Sequence, residues 1–89
     1  MKTITIFTKE RCLFCQMLKK KLSDQLIPFR DVDVTKNPEL WAQVFEQTGN
    51  RSLPTVFIKD ESDDTGTVYV PGRDFQNDNE LIEIIKSNI

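Results

Sequence analysis

The chain has 89 residues, of which 38% are hydrophobic and 29% are charged, with a formal net charge of −2. This size predicts one domain over residues 1–89, and the absence of any run of about 18 apolar residues argues against a membrane span. The chain has only two cysteines, which are too few for a disulfide-rich secreted scaffold and favour a reducing cytoplasm. A weakly acidic chain also lacks the basic footprint of nucleic-acid binding.

The first part of the chain predicts two strands around a helix. Thr3–Thr8 alternates isoleucine with threonine, which is typical of a strand. The leucines that then recur at helical spacing are Leu18, Leu22 and Leu26. They predict an amphipathic helix that runs to about Leu26 and is stopped by Pro28. Residues 29–34 predict the second strand, so the unit is a right-handed βαβ with parallel strands.

A second helix is predicted over residues 37–50. Asn37 suits the N-cap, Pro38 suits the first turn and Gly49 suits the C-cap. The residues expected on its apolar face are Leu40, Trp41, Val44 and Phe45.

The last part of the chain predicts a hairpin and a closing helix. Residues 55–59 and 67–70 would be strands, and the short polar turn 60–66 between them implies antiparallel pairing. Residues 77–89 predict a helix. The residues expected on its buried face are Leu81, Ile82, Ile85 and Ile89. The order βαβαββα predicts an α/β fold, with a mixed four-stranded sheet flanked by three helices.

Cys12 and Cys15 lie three positions apart across the first turn of the first helix. This spacing brings both sulfurs to one side, where a disulfide can close. At or just before the helix N-terminus, Cys12 would meet unpaired N–H groups that stabilise a thiolate and make it nucleophilic. Cys15, one turn inside, would be less exposed and placed to attack a mixed disulfide on Cys12.

Other roles for the cysteine pair are weaker. A structural zinc site needs about four ligands, and this chain has no histidine and no third cysteine. A purely structural disulfide would close a very short loop and add little stability. Two core cysteines at chance spacing stay open as an alternative. The position of the pair after the first strand of a βαβ unit favours redox function over all three.

Positive charge is concentrated near these cysteines. Residues 1–30 carry seven Lys/Arg and two Asp/Glu, whereas residues 31–89 carry five and twelve. Lys19, Lys20 and Lys21 are therefore either a solvated helix face or part of a field that favours thiolates and anionic partners near Cys12.

Three stretches of the chain, followed by the closing helix, resemble glutaredoxins. They are "TKERCLFC" at 8–15, "RSLPTVFI" at 51–58 and "VYVPGRD" at 68–74. The resemblance implies a thioredoxin fold. It also implies a glutathione-dependent thiol–disulfide oxidoreductase that reduces protein disulfides and glutathione mixed disulfides through Cys12 and Cys15. Where the family typically has Cys-Pro-Tyr-Cys, Leu13 replaces proline, and Phe14 replaces tyrosine as a glutathione contact.

The resemblance also assigns roles to residues beyond the cysteines. Pro54 would follow a cis peptide bond and face the disulfide, and Leu53 would offer its backbone N–H and C=O to an extended peptide. Lys9 matches the lysine that pairs with the glycine carboxylate of glutathione. Gly72 stands in the place of the usual Gly-Gly pair, and Asp74 matches the residue that holds the γ-glutamyl amine.

Three further side chains are ambiguous. Arg51 either pairs with the glycine carboxylate of glutathione or is a solvated surface charge. Tyr69 and Trp41 are expected in the core or on the sheet rather than as stacking platforms.

Two alternative functions follow from the departures from the family pattern. Some glutaredoxin-like redoxins accept electrons from thioredoxin reductase and feed ribonucleotide reductase. Glutaredoxins can also bridge a [2Fe–2S] cluster between two chains, and the absence of the proline ring at Leu13 makes this carrier role less excluded. The dithiol favours redox turnover, so we expect a monomer without a resident metal.

Overall fold

Four strands and three helices follow one another in the predicted order βαβαββα in this computed structural model, which describes residues 2–62 and 64–89. The elements are β1 (Lys2–Thr8), α1 (Leu13–Asp24), β2 (Arg30–Asp33), α2 (Pro38–Thr48), β3 (Thr55–Asp60), β4 (Thr65–Tyr69) and α3 (Asp78–Ser87). The predicted elements are therefore confirmed, and their ends differ from the expected ends by a few residues.

The strands form one mixed sheet in the order β2-β1-β3-β4. β1 is parallel to β2 and antiparallel to β3, and β4 is antiparallel to β3, which confirms the predicted hairpin. Residue 63 of its turn lies outside the described residues. The strand pairs at one end of the sheet are Thr8–Asp33, Phe7–Thr55 and Val56–Tyr69. The segments that continue from this end, namely 9–12, 34–37, 49–54 and 70–77, share what we call the cysteine edge.

The two faces of the sheet carry separate apolar clusters. One cluster joins the sheet to α1 and α3 and consists of Ile4, Ile6, Leu18, Leu22, Ile27, Val56, Ile58, Phe75, Leu81, Ile82 and Ile85. The other joins it to α2, with Phe7, Val34 and Val44 buried and Trp41 packed against them. Because side chains alternate along a strand, the neighbours Ile6 and Phe7 serve opposite clusters. Apolar packing on both faces of the sheet therefore holds the sheet, and with it the cysteine edge, in place.

The expectation that Leu26 belongs to the buried stripe of the first helix is wrong. α1 ends at Asp24, and Leu26 has a φ of 58° and is 90% exposed. The Leu26 N–H donates to the Ser23 carbonyl at 3.0 Å, and the Ile27 N–H donates to the Leu22 carbonyl at 2.9 Å. This is a Schellman motif, in which a left-handed residue ends the helix and the next residue packs back onto it. Ile27 therefore takes the buried position.

Three expectations at helix ends are also wrong in part. Asn37 occupies the N-cap position, but its side chain donates to the Asp33 carbonyl at 2.9 Å and does not cap α2. This hydrogen bond attaches the start of α2 to the end of β2. Leu40, in the first turn of α2, is exposed instead of packing on the sheet. Ile89 is exposed because α3 ends at Ser87.

The remaining helix-end predictions hold. Pro38 is in the first turn of α2, and Gly49 ends that helix in a left-handed conformation with a φ of 67°. Within the part of the chain that the structure describes, every helix is too short or too polar to cross a bilayer.

Candidate active site

The two cysteines form a disulfide at the start of α1. Cys12 is the N-cap residue, the Cα atoms are 5.2 Å apart, and the Cys15 N–H donates to Cys12 Sγ at 3.2 Å. Cys15 is fully buried, whereas Cys12 is partly exposed. The structure therefore places both residues as predicted, with the N-terminal sulfur as the accessible one.

A tight turn carries the chain from β1 to Cys12. The Cys12 N–H donates to the Lys9 carbonyl at 3.4 Å, and Arg11 has a left-handed backbone with a φ of 64°. Such a conformation costs roughly 1–2 kcal/mol in a residue with a side chain. Lys9 and Arg11 are exposed, and neither forms an ion pair with any described residue. Two cations without an ion-pair partner among residues 2–62 and 64–89 therefore flank Glu10 just before the accessible sulfur.

The three lysines of α1 behave differently, because each has a carboxylate partner. The N–O distances are 2.7 Å for Lys19–Asp31, 3.1 Å for Lys20–Asp24 and 2.7 Å for Lys21–Asp78. The first pair attaches α1 to β2, the third attaches it to α3, and the second lies within α1. The three lysines are therefore compensated rather than a free positive field. Of the two readings, the structure favours the first, that of a surface helix face.

The Leu53–Pro54 peptide bond is cis, as the resemblance predicted. Pro54 is buried, and Thr55 begins β3 opposite Phe7, next to the end of the strand that leads to Cys12. The backbone N–H and carbonyl of Leu53 have no hydrogen-bond partner among residues 2–62 and 64–89. These two groups can therefore pair with the backbone of an extended ligand.

Asn50 holds this loop against the neighbouring one. Its Oδ1 accepts a hydrogen bond from the Ser52 N–H at 2.7 Å, and its Nδ2 donates to the Pro71 carbonyl at 3.3 Å. Our sequence analysis did not identify Asn50, although asparagine two residues before serine is a common turn former. Its hydrogen bonds fix Leu53 relative to the segment that contains Gly72.

The segment 70–77 is closed by its own hydrogen bonds. Gly72 has a φ of 86°, and its N–H donates to the Phe75 carbonyl at 2.8 Å. The Asp74 N–H donates to the Val70 carbonyl at 3.0 Å, and the Phe75 side chain is buried in the core. The buried Phe75 side chain therefore attaches the segment to the core, and the two hydrogen bonds fold the segment on itself.

The carboxylate of Asp74 already has partners. Its Oδ2 accepts from the Val70 N–H at 2.8 Å and from Nε of Arg73 at 3.0 Å, and Nη2 of Arg73 lies 2.9 Å away. Burial opposes ionisation of Asp74, but the Arg73 and Val70 hydrogen bonds outweigh it and lower the pKa of this carboxyl. A ligand amine would have to share Asp74 with Arg73, a competitor that our sequence analysis missed.

A cleft of about 430 Å³ lies beside the cysteine turn, between α1 and the end of β2. Its charged lining residues are Lys9, Glu10, Lys19, Asp31, Asp33 and Lys36. Burial opposes ionisation of Asp31, but hydrogen bonds from Lys19 and Thr8 lower its pKa. Neither Cys12 nor Pro54 lines the cleft, so the chemistry lies on the surface next to it.

The four remaining side chains that the sequence singled out lie in three different environments. Phe14 is partly exposed in the first turn of α1, next to the disulfide. Trp41 packs on Phe7 with ring centroids 5.7 Å apart, and Tyr69 packs against the larger cluster, as expected of core residues. The Arg51 guanidinium lies 4.2 Å from the centroid of the Phe45 ring rather than on a carboxylate.

The glutaredoxin family model matches residues 4–62, which is most of the chain. The chain belongs to the glutaredoxin family. This glutaredoxin is 36% identical to "Glutaredoxin-like protein NrdH" of Lactococcus lactis subsp. cremoris over 58 residues, covering 65% of this chain and 78% of that protein. It is 28% identical to "Glutaredoxin 3" of Escherichia coli over 58 residues, covering 65% and 70%. Family membership and the cysteine pair make it a thiol–disulfide oxidoreductase.

A solved structure supports the architecture of this glutaredoxin. The solution structure of glutaredoxin from Brucella melitensis superposes with a TM-score of 0.55 and 21% sequence identity, covering 96% of this chain and 79% of that one. The predicted thioredoxin fold is therefore confirmed. The family match ends at residue 62, before Gly72 and Asp74, so the roles assigned to these two residues depend on their local geometry.

Proposed function

We propose that this glutaredoxin reduces protein disulfides and glutathione mixed disulfides with Cys12 as the nucleophile, Cys15 as the resolving thiol and glutathione as the reductant. The observation that carries the assignment of roles is the difference in exposure between the two sulfurs. A substrate can reach Cys12 at the helix N-terminus, whereas buried Cys15 is reachable only from Cys12.

The proposed reaction proceeds in two exchanges. The Cys12 thiolate attacks one sulfur of the substrate disulfide, an S–S bond to Cys12 forms, and the other substrate sulfur leaves as a thiolate. Cys15 then loses its proton and attacks Cys12 Sγ, which closes the Cys12–Cys15 disulfide and releases the second substrate thiolate. One substrate disulfide is reduced to two thiols while the two protein thiols are oxidised. Two glutathione molecules return the protein to the dithiol and leave as one glutathione disulfide.

The cysteine edge supports binding of an extended peptide beside Cys12. The N–H and carbonyl of Leu53, which have no partner in the described part of the chain, supply backbone pairing, as in the addition of a strand to a sheet edge. Lys9 and Arg11, which form no ion pair with any residue that the structure describes, supply positive charge for carboxylates of the ligand. In glutathione, Lys9 would take the glycine carboxylate, Leu53 the cysteinyl backbone, and Asp74 with Gly72 the γ-glutamyl end.

A specific observation favours a second candidate for the reductant. Because Arg73 already pairs with Asp74, this carboxylate is less available to the γ-glutamyl amine of glutathione. A flavoprotein such as thioredoxin reductase would need only the cysteines and the surface around them. In that case ribonucleotide reductase is one proposed protein substrate. Under either reductant we propose a monomer that acts in the cytoplasm.

The decisive experiment supplies the protein with each reductant in turn. Turnover of a glutathione mixed disulfide is measured with glutathione and glutathione reductase, and turnover of a protein disulfide with thioredoxin reductase. Cys12→Ser should abolish both activities, whereas Cys15→Ser should retain the first. If wild type turns over only with thioredoxin reductase, glutathione is not its reductant. If limiting iodoacetamide labels Cys15 before Cys12 in the reduced protein, the assignment of roles is wrong.

A further inference from the structure

The Arg73 side chain makes two separate attachments at the end of β4. Its guanidinium contacts Asp74 Oδ2 through Nε at 3.0 Å and Nη2 at 2.9 Å, and Nη2 also donates to the Val68 carbonyl at 2.9 Å. Val68 belongs to β4, a strand at the edge of the sheet, so this hydrogen bond attaches Arg73 to that edge. The two attachments hold the guanidinium over Asp74.

The position of Arg73 changes what Asp74 can bind. Every hydrogen bond to this carboxylate from a described residue goes to Oδ2, so Oδ1 is the acceptor left for a ligand. An ammonium group on Oδ1 would lie beside the guanidinium on the same carboxylate. The negative charge that should attract the ammonium is already compensated, and the nearest additional charge is repulsive.

Arg73 is nevertheless displaceable. Its side chain is 54% exposed, while that of Asp74 is 25% exposed, so the pair is at the surface on one side. Ion pairs of this kind contribute little net free energy, since water and salt compensate both charges when they separate. A ligand can therefore bind at Asp74, with a reduced affinity.

We infer that Arg73 is a specificity-determining residue that weakens the binding of ammonium-bearing ligands at Asp74. The inference rests on the proposed function, which places the γ-glutamyl end of glutathione there. Its consequence is that this chain discriminates against free glutathione in favour of peptide ligands that do not bring an ammonium group to Asp74. Arg73 acts through its occupation of the carboxylate.

The test measures binding of S-methylglutathione to the oxidised protein by calorimetry, because this ligand has no thiol to exchange. Arg73→Ala should bind it roughly 1.5- to fivefold more tightly than wild type, the range set by a surface ion pair. Arg73→Lys keeps the charge but lacks the planar fork that contacts Asp74 and Val68 together, so it should fall between the two. Thermal melting of each variant confirms that it is folded.

A matched ligand isolates the ammonium group. The analogue with a glutaryl group in place of γ-glutamyl keeps every carboxylate of S-methylglutathione and lacks only the amine. The gain from Arg73→Ala should disappear with this analogue. Equal or weaker binding of S-methylglutathione by Arg73→Ala, no binding to either protein, or an equal gain with the glutaryl analogue would each overturn the inference.

The proposed function is assayed separately, so the two failures can be told apart. Wild-type protein reduced with dithiothreitol and then freed of it should reduce insulin disulfides stoichiometrically. Failure of that reaction counts against the Cys12–Cys15 chemistry, whereas the binding measurements on Arg73 variants do not involve a free thiol.

Discussion

Replacement of Leu26 with glycine should stabilise the protein, because this residue ends α1 in a left-handed conformation with a φ of 58°. The conformation is required by the Schellman hydrogen bonds from Leu26 to Ser23 and from Ile27 to Leu22. A left-handed backbone costs a residue with a side chain roughly 1–2 kcal/mol, and glycine avoids that cost.

The magnitude follows from two opposing contributions. The Leu26 side chain is 90% exposed, so its removal forfeits almost no buried apolar area. Glycine loses more backbone entropy on folding, by about 0.5–1 kcal/mol, which offsets part of the gain. The net increase in the free energy of unfolding should be about 0.5–1 kcal/mol, or a rise in Tm of about 2–8 °C for a domain of this size.

The assay is urea denaturation followed by circular dichroism, with wild type, Leu26→Gly and Leu26→Ala all in the same redox state. Leu26→Ala removes the same exposed side chain but keeps the left-handed cost, so it should stay within about 0.5 kcal/mol of wild type. If Leu26→Gly is no more stable than Leu26→Ala, the left-handed backbone is not a cost here and the reasoning fails.

Three further predictions address the sheet, the pH dependence and the cysteines. Gly66→Ala should lower the free energy of unfolding by about 1–3 kcal/mol in urea denaturation, because its Cβ would overlap the Phe57 ring, and Phe57→Leu in the same chain should recover part of the loss. Although burial opposes ionisation of Asp31, the Lys19 hydrogen bond helps keep its folded-state pKa below 3.8, so its stabilisation is complete above that pH and is lost as pH falls through the lower folded value. The stability difference between wild type and Asp31→Asn should therefore be constant near neutrality and shrink below about pH 4, and a constant difference across acid titration would contradict this. Cys15→Ser should accumulate a covalent adduct with a protein disulfide substrate, visible by intact mass spectrometry, and absence of the adduct would exclude Cys15 as the resolving thiol.

Much of the fold was determined by local sequence patterns. Two patterns depend only on which neighbours share a face, namely the alternation in Thr3–Thr8 and the helical spacing of Leu18 and Leu22. The strand and the helix that they predict are both confirmed. The same holds for Cys12 and Cys15, because three positions across a helix start bring the two sulfurs together whatever the rest of the chain does. The cis Leu53–Pro54 bond was predicted from the family resemblance, since local propensity alone favours trans.

Tertiary structure decided the features that depend on distant partners. Lys19 and Lys21 are compensated because β2 and α3 bring Asp31 and Asp78 to them, a pairing that no spacing within α1 encodes. Asp74 was expected to hold a ligand amine, but its carboxylate already accepts hydrogen bonds from Val70 and Arg73 within the closed segment 70–77. Leu26 continues the helical period in sequence, but the chain gains more by turning left-handed there and burying Ile27 in the core. Periodicity reports which side chains could share a face, whereas the competition between continuing an element and packing the next residue is settled by contacts made across the whole fold.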